Sequence, residues 1–206
     1  MRKAIIKRKT KEVNIIIKLN IDGKGEYKID TKINFLNHML SLLAKHGLFD
    51  IEIKARGDLD VDIHHTNEDI GISLGEAFLK ALGKKVGIKR FGNSIICMDE
   101  ALVRCVLDIS GRPYLKIAPS RLPASSSRTI MNIYKKDKVY TYSYFKQFLK
   151  GFIDHFKINL HMDVLEGEDF HHIAEASFKA LASALKEAVK IEPRRKSVPT
   201  TKGKID

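Results

Sequence analysis

Apolar and polar residues alternate in Glu12-Val-Asn-Ile-Ile-Ile-Lys-Leu19 and again in Glu100-Ala-Leu-Val-Arg-Cys-Val-Leu107. A period near two marks a strand with one buried face. Each run opens on glutamate and leads to an Ile-x-Gly-basic turn, Ile21-Asp-Gly-Lys24 and Ile109-Ser-Gly-Arg112. The period then lengthens. Phe35, Leu36, Met39, Leu40 and Leu43 follow Asn34 at three- and four-residue spacing, which predicts a helix over 34–46. Matching stripes predict helices over 67–82 and 173–190.

These runs form two copies of one plan. The strands are offset by 88 residues, His46 and His155 by 109, and the His64-His65 and His171-His172 pairs by 107. The jump places an insertion of about 21 residues in the second copy, roughly Ser120 to Tyr140. Ser125-Ser-Ser127 and mixed charges there read as a long loop. Each copy reads strand, strand, helix, strand, room for a short further strand, then helix. The prediction is a single α+β domain, internally duplicated, with repeats at 8–90 and 96–191 and a C-terminal tail at 192–206.

Composition narrows the class. At 206 residues and 44% hydrophobic content, the chain can bury a sizeable core. No apolar run reaches membrane-spanning length, and the basic N-terminus lacks a signal-peptide core. Cys97 and Cys105 have no disulfide or metal spacing, so a cytoplasmic setting is expected. A net charge of +12 admits nucleic acid or an anionic small molecule as partner. Apart from Arg194-Arg195-Lys196 the basic residues are dispersed, and no nucleic-acid signature accompanies them. Phosphate on a small substrate is the sharper reading; neither nucleic acid nor membrane is expected as a partner.

The chemistry concentrates in His64-His65-Thr66-Asn67-Glu68 and His171-His172-Ile173-Ala174-Glu175, which hold half of the eight histidines. On a helix the first His and the Glu share a face, while the second His points about 100° away. Ligands that diverge in this way suit two neighbouring metal ions better than one. A single copy would read as a helix-start histidine and a solvated glutamate. Two copies, each ahead of a matching helix, favour metal.

Several strings then point to one family: Phe35-Leu36-Asn37-His38-Met39-Leu40, Ala44-Lys45-His46-Gly47, Gly57-Asp58-Leu59, the two His-His motifs, Arg90-Phe91-Gly92, Met98-Asp99-Glu100-Ala101, Asp108-Ile109-Ser110-Gly111-Arg112-Pro113 and Val198-Pro199-Thr200-Thr201-Lys202-Gly203. Together they resemble imidazoleglycerol-phosphate dehydratase, an enzyme of histidine biosynthesis. The resemblance runs from about Arg8 to the C-terminus and is weakest between Ser120 and Leu149. It implies two mixed four-stranded sheets sandwiching a helix bundle. It also implies a homo-oligomer, an octahedral 24-mer, with sites between subunits. Two manganese ions would be held by His38, His64, His65, Glu68, His171, His172 and Glu175. The substrate ring would bridge them as imidazolate, expelling a hydroxyl through a diazafulvene-like intermediate, with Glu12 as acid/base. Arg90, Arg112, Lys179, Thr200 and Lys202 would hold phosphate, with His46 a further substrate contact. The tail is expected to fold over the phosphate when the oligomer forms.

Three residues depart from the family's pattern. Gln147 stands at offset 109 from His38, where the family has a ligand histidine, and an amide oxygen is the poorer donor for a transition metal. Asn37 replaces an aspartate that could orient His38. Leu42 replaces a substrate-contacting glutamine. One metal is therefore expected to keep fewer protein ligands, with Gln147 among them. Alternatively His155 or His161 serves, or the chain is a repurposed relative acting on another phosphorylated azole or a metal-assembled oligomer without activity.

Overall fold

The computed structural model describes residues 2–119 and 140–205, so the insertion expected over 120–140 lies outside the described residues except for Tyr140. The first half comprises β1 (Lys3–Lys9), β2 (Val13–Asn20), β3 (Tyr27–Asp30), α1 (Asn34–Gly47), β4 (Asp50–Gly57) and α2 (His64–Leu82). The second comprises β5 (Phe91–Met98), β6 (Ala101–Asp108), β7 (Tyr114–Pro119), α3 (Tyr142–Phe156), β8 (Asn159–Glu166) and α4 (Phe170–Val189). The sheets run β1-β2-β4-β3 and β5-β6-β8-β7, antiparallel except for the parallel β3–β4 and β7–β8 pairs. The same order and the same mixture of directions in both sheets bear out the duplicated α+β fold.

Two details differ from the pattern-based expectation. The extra strand of each half precedes the short helix, and no strand follows β4 or β8, where turns lead directly into the long helices. β1 begins at Lys3, ahead of the suggested boundary at residue 8. The long helices also start three residues early, at His64 and Phe170, so both His-His pairs lie in a first turn.

Each sheet turns one face inward, with Ile15, Ile17, Ile51 and Ile53 buried in the first and Val103, Cys105, Leu160 and Met162 in the second. Each long helix packs on its own sheet, α2 on β1 and β2, α4 on β5 and β6. The short helices cross over: α1 lies against α4, and α3 against α2. Each half is thus closed by a helix from the other. Phe78 of α2 meets Phe152 of α3 edge-on with ring centroids 5.6 Å apart, a geometry worth about 0.5–1.5 kcal/mol beyond burial.

The α2–α3 crossing is a backbone-to-backbone contact. A Cβ at Gly71 would stand 2.4 Å from the Phe148 carbonyl oxygen, and one at Gly75 2.4 Å from that of Phe152. Among the described residues no helix is long and apolar enough to cross a membrane.

Candidate active site

The starts of α2 and α4 carry the ligand-type residues, and aspartates seat both. Asp169 accepts the His171 N–H at 2.6 Å, and Asp62 accepts those of Ile63 and His64 at 2.5 and 3.4 Å. Asp169 is the N-cap of α4, a device that satisfies first-turn donors and fixes where the helix begins, while Asp62 stands one residue ahead of Ile63, the N-cap of α2. One turn on, His171 Nε2 lies 3.1 Å from Glu175 Oε1, and His64 Nε2 lies 3.3 Å from Glu68 Oε2. The second imidazoles diverge as the spacing predicts. His172 Nδ1 reaches Glu100 at 2.7 Å, and His65 Nδ1 reaches Asp58 at 2.9 Å and Glu12 at 4.0 Å.

The crossing of α1 onto α4 adds a third ligand. His38 Nε2 stands 2.9 Å from Glu175 Oε1, and Phe35 packs edge-on against His171 at 5.2 Å. Ligand atoms of His38, His171 and Glu175 all lie within 4.8 Å of one another. Glu12, Asp58 and His65 form a second group of the same spread. Burial pushes the Glu175 carboxyl up, but hydrogen bonds from Lys179 and His38 outweigh it and hold the group at about 2. It is therefore an anion at neutral pH. Two imidazoles and a buried carboxylate within this radius fit a divalent first-row transition-metal cation.

Asp58 and Glu100 are the residues that sequence reasoning missed in this site. Glu100 is the repeat partner of Glu12, and that offset of 88 was the available signal. Its carboxylate is pinned by the backbone N–H groups of Asp169 and Glu168 at 3.0 and 3.3 Å and by His172. These hold its carboxyl down at about 2. Glu12 is exposed, and its carboxylate approaches His65 at 4.0 Å.

The residues that depart from the family pattern are accounted for individually. Asn37 does not orient His38: its Oδ1 accepts from the backbone N–H and hydroxyl of Thr31 at 3.0 and 2.6 Å, closing the turn from β3 into α1. Leu42 packs on the core. His155 Nδ1 bonds the Gly151 carbonyl at 2.9 Å, and His161 stacks on Tyr114 across the outer face of the second sheet. Neither joins a ligand cluster. Gln147 sits on α3 between Tyr144, whose carbonyl accepts from Asn67 of α2 at 2.8 Å, and Gly151, whose Cβ would lie 2.9 Å from the Glu68 carbonyl.

A basic cradle forms elsewhere. Arg90, Arg112, Thr200 and Lys202 line one cavity of about 530 Å³, joined by Arg195 and Lys204, which sequence reasoning also missed. Asp108 holds the Arg90 guanidinium at 2.7 and 3.0 Å, and that group donates to the Pro199 carbonyl at 2.8 Å. Gly87 N–H bonds the Ser197 carbonyl at 3.0 Å and Arg195 donates to the Ile88 carbonyl at 2.9 Å. The tail is thus seated against its own chain at Gly87, Ile88 and Arg90. Lys179 and His46 do not line this cavity. Lys179 donates to Glu175 at 2.7 Å, and burial together with the Lys179 charge lowers the His46 pKa.

The cradle lies at the far end of both long helices. Arg90 N–H bonds the Ala188 carbonyl near the end of α4. From Glu175 to Ala188 the helix rise alone amounts to about 20 Å.

Duplicated sheets closed by exchanged helices, imidazole–carboxylate clusters at the helix starts and a separate basic cradle define an internally duplicated α+β protein with a candidate metal centre and a candidate anion site. The chain matches the imidazoleglycerol-phosphate dehydratase family over residues 31–185. It is 52% identical over 203 residues to that enzyme from Thermoanaerobacter pseudethanolicus, covering 98% of this chain and 99% of the relative. It is 47% identical over 206 residues to the one from a Geobacter species, covering 99% of each. The solved dehydratase from Pyrococcus furiosus superposes with a TM-score of 0.77 at 37% identity, covering 96% of this chain and 99% of that one. The Staphylococcus aureus structure gives 0.76 at 32%, covering 92% and 99%. The chain belongs to the imidazoleglycerol-phosphate dehydratase family, the hydro-lyases that dehydrate imidazole glycerol phosphate in histidine biosynthesis.

Proposed function

We propose that this chain converts imidazole glycerol phosphate to imidazole acetol phosphate in a metal-dependent reaction, with two manganese ions per site and Glu12 as the acid/base. The observation that carries the metal reading is the His38–His171–Glu175 cluster, assembled across the two halves around an ionised, buried carboxylate. Residues His38, His171 and Glu175 would hold one ion, and His64 and Glu68 would take part in holding the other. His65 and His172, turned aside from their own helix partners, are available to a neighbouring site. Bound divalent cations supply the positive charge that stabilises the substrate ring as an anion and eases departure of its neighbouring hydroxyl.

The protein's own groups carry the rest. Arg90, Arg112 and Lys202 offer forked and point-charge donors to a phosphate dianion, with the Thr200 hydroxyl beside them. The Arg90–Asp108 pair fixes that guanidinium before substrate arrives. Glu12 is the better proton carrier of the two repeat-related glutamates, because Glu100 is committed to the β8–α4 turn and Glu12 is not. Its carboxylate would accept the carbon-bound proton and return it to the ring-side carbon of the product.

The spacing supports a homo-oligomer with shared sites. The clusters and the cradle of one chain are separated by most of a long helix, a reach well beyond the three-carbon chain that links ring and phosphate in the substrate. The cradle of one copy would serve the clusters of another, in a 24-mer as in the family. The outer face of the second sheet carries exposed Phe91, Ile95, Val106 and Tyr114, which suits burial against further copies. A cytoplasmic setting accords with two free thiols, one exposed and one buried.

The test is a dehydratase assay on purified protein with imidazole glycerol phosphate, with added manganese and after EDTA. Product that depends on manganese is expected. Turnover that survives complete metal removal would overturn the metal reading. Absence of turnover in metal-loaded protein would favour a substrate with another phosphorylated azole.

A further inference from the structure

Resting on the metal reading above, we propose that the two metal positions of this chain are unequal: His38, His171 and Glu175 form a tight site, whereas Gln147, His64 and Glu68 form a weak one that fills second. The argument starts from the duplication. His171 and Glu175 correspond to His64 and Glu68 at offset 107, and His38 corresponds to Gln147 at offset 109. Topology keeps these equivalences in space. α1 crosses α4 at the level of Glu175, and α3 crosses α2 at the level of Glu68.

Gln147 lies on the stretch of α3 that crosses α2 beside Glu68. Tyr144 and Gly151, three residues before it and four after it, both contact α2, at Asn67 and Glu68. Residues at that spacing share one helix face. The Gln147 Oε1 atom is buried and, among the described residues, has no hydrogen-bond partner. A buried carbonyl oxygen without a donor forfeits the bond it would make to water, a cost that a cation there would offset. The residue is thus a neutral oxygen donor aimed into the helix interface, in the place of an imidazole.

Two consequences separate the sites. An amide oxygen is a weaker ligand than imidazole for manganese and later first-row metals. The second carboxylate is also less committed. Glu175 is buried and drawn in by Lys179 and His38, whereas Glu68 is 44% exposed in its side chain and pairs with His64 at 3.3 Å. The tight site is therefore assembled before metal arrives, and the weak site must be gathered by the ion.

The experiment is a manganese titration of EDTA-stripped, full-length protein, reading free Mn2+ by its EPR signal and bound heat by calorimetry. Two classes per chain are expected, with dissociation constants at least about 10-fold apart. Q147H should tighten only the weaker class by about 10-fold or more, bringing the two together. H38Q should weaken only the tighter class, which guards against a Q147H protein that folds poorly. Two indistinguishable classes in the unaltered protein, or a Q147H titration that superposes on it, would overturn the inequality while leaving metal dependence standing. No manganese bound at all would overturn both.

Discussion

His38 and Glu175 lie 137 residues apart in the chain, yet their side chains meet at 2.9 Å because α1 of the first half closes the second half. The contact holds a ligand imidazole and a ligand carboxylate in one place before any ion binds. Glu175→Gln should lower manganese affinity by more than about 10-fold, since it removes charge and a bond to His38 together. Isothermal titration of the metal-free variant checks this, and an unchanged affinity would show that the cluster is structural only.

The two strand-start glutamates should behave oppositely. Glu12→Gln is expected to lower kcat by about 100- to 10,000-fold while leaving folding and bound manganese intact. Glu100→Gln should cost stability and loosen His172, with a smaller loss of kcat. Steady-state kinetics beside metal analysis of both variants separates the roles. Equal losses in kcat would count against Glu12 as the proton carrier.

Glu100 also predicts an acid-side effect. Its folded carboxyl, held by the Asp169 N–H and His172, sits at about 2 against an ordinary 4.5. A depressed carboxylate stabilises the fold above the ordinary value and loses that contribution as pH falls toward the folded one. Urea unfolding of metal-free protein should thus weaken as pH drops below 4.5, and Glu100→Gln should flatten that slope. Parallel slopes for the two proteins would remove Glu100 from the account.

Close helix packing carries its own prediction. At Gly75 an added methyl would meet the Phe152 carbonyl at 2.4 Å, a backbone atom that cannot swing aside. Gly75→Ala should destabilise by about 1–3 kcal/mol despite its better helix propensity. Thermal melts of the two proteins under one metal condition provide the measure; a melt equal to or above the parent's would mean that α2 and α3 part without cost.

Much of this was legible in the chain. Alternation in β2 and β6 and the amphipathic stripes in α1, α2 and α4 are strong because each element has one wet and one dry face. β1 and β3 are less legible: an edge strand rich in lysine and a four-residue strand offer little period to read. Helix starts moved because the first turns, opened at Ile63 and at the Asp169 cap, lie ahead of the apolar stripe. In the site, the i to i+4 pairing of His171 with Glu175 could be read from spacing alone. The arrival of His38 could not, because it depends on which short helix covers which long one. What Asn37 does in place of the aspartate was not legible either, since its bond to Thr31 depends on how the turn from β3 into α1 closes.

One consequence concerns alleles. The cradle at one end of α4 and the cluster at the other divide a chain into two functions that need not be intact in the same copy. A subunit spoiled at Arg112 keeps its ligand cluster, and one spoiled at Glu175 keeps its cradle. Mixed in a single particle, two such inactive proteins would rebuild some whole sites between them. Paired defects that each abolish histidine synthesis should then complement one another, while two defects in the same end of the helix should not.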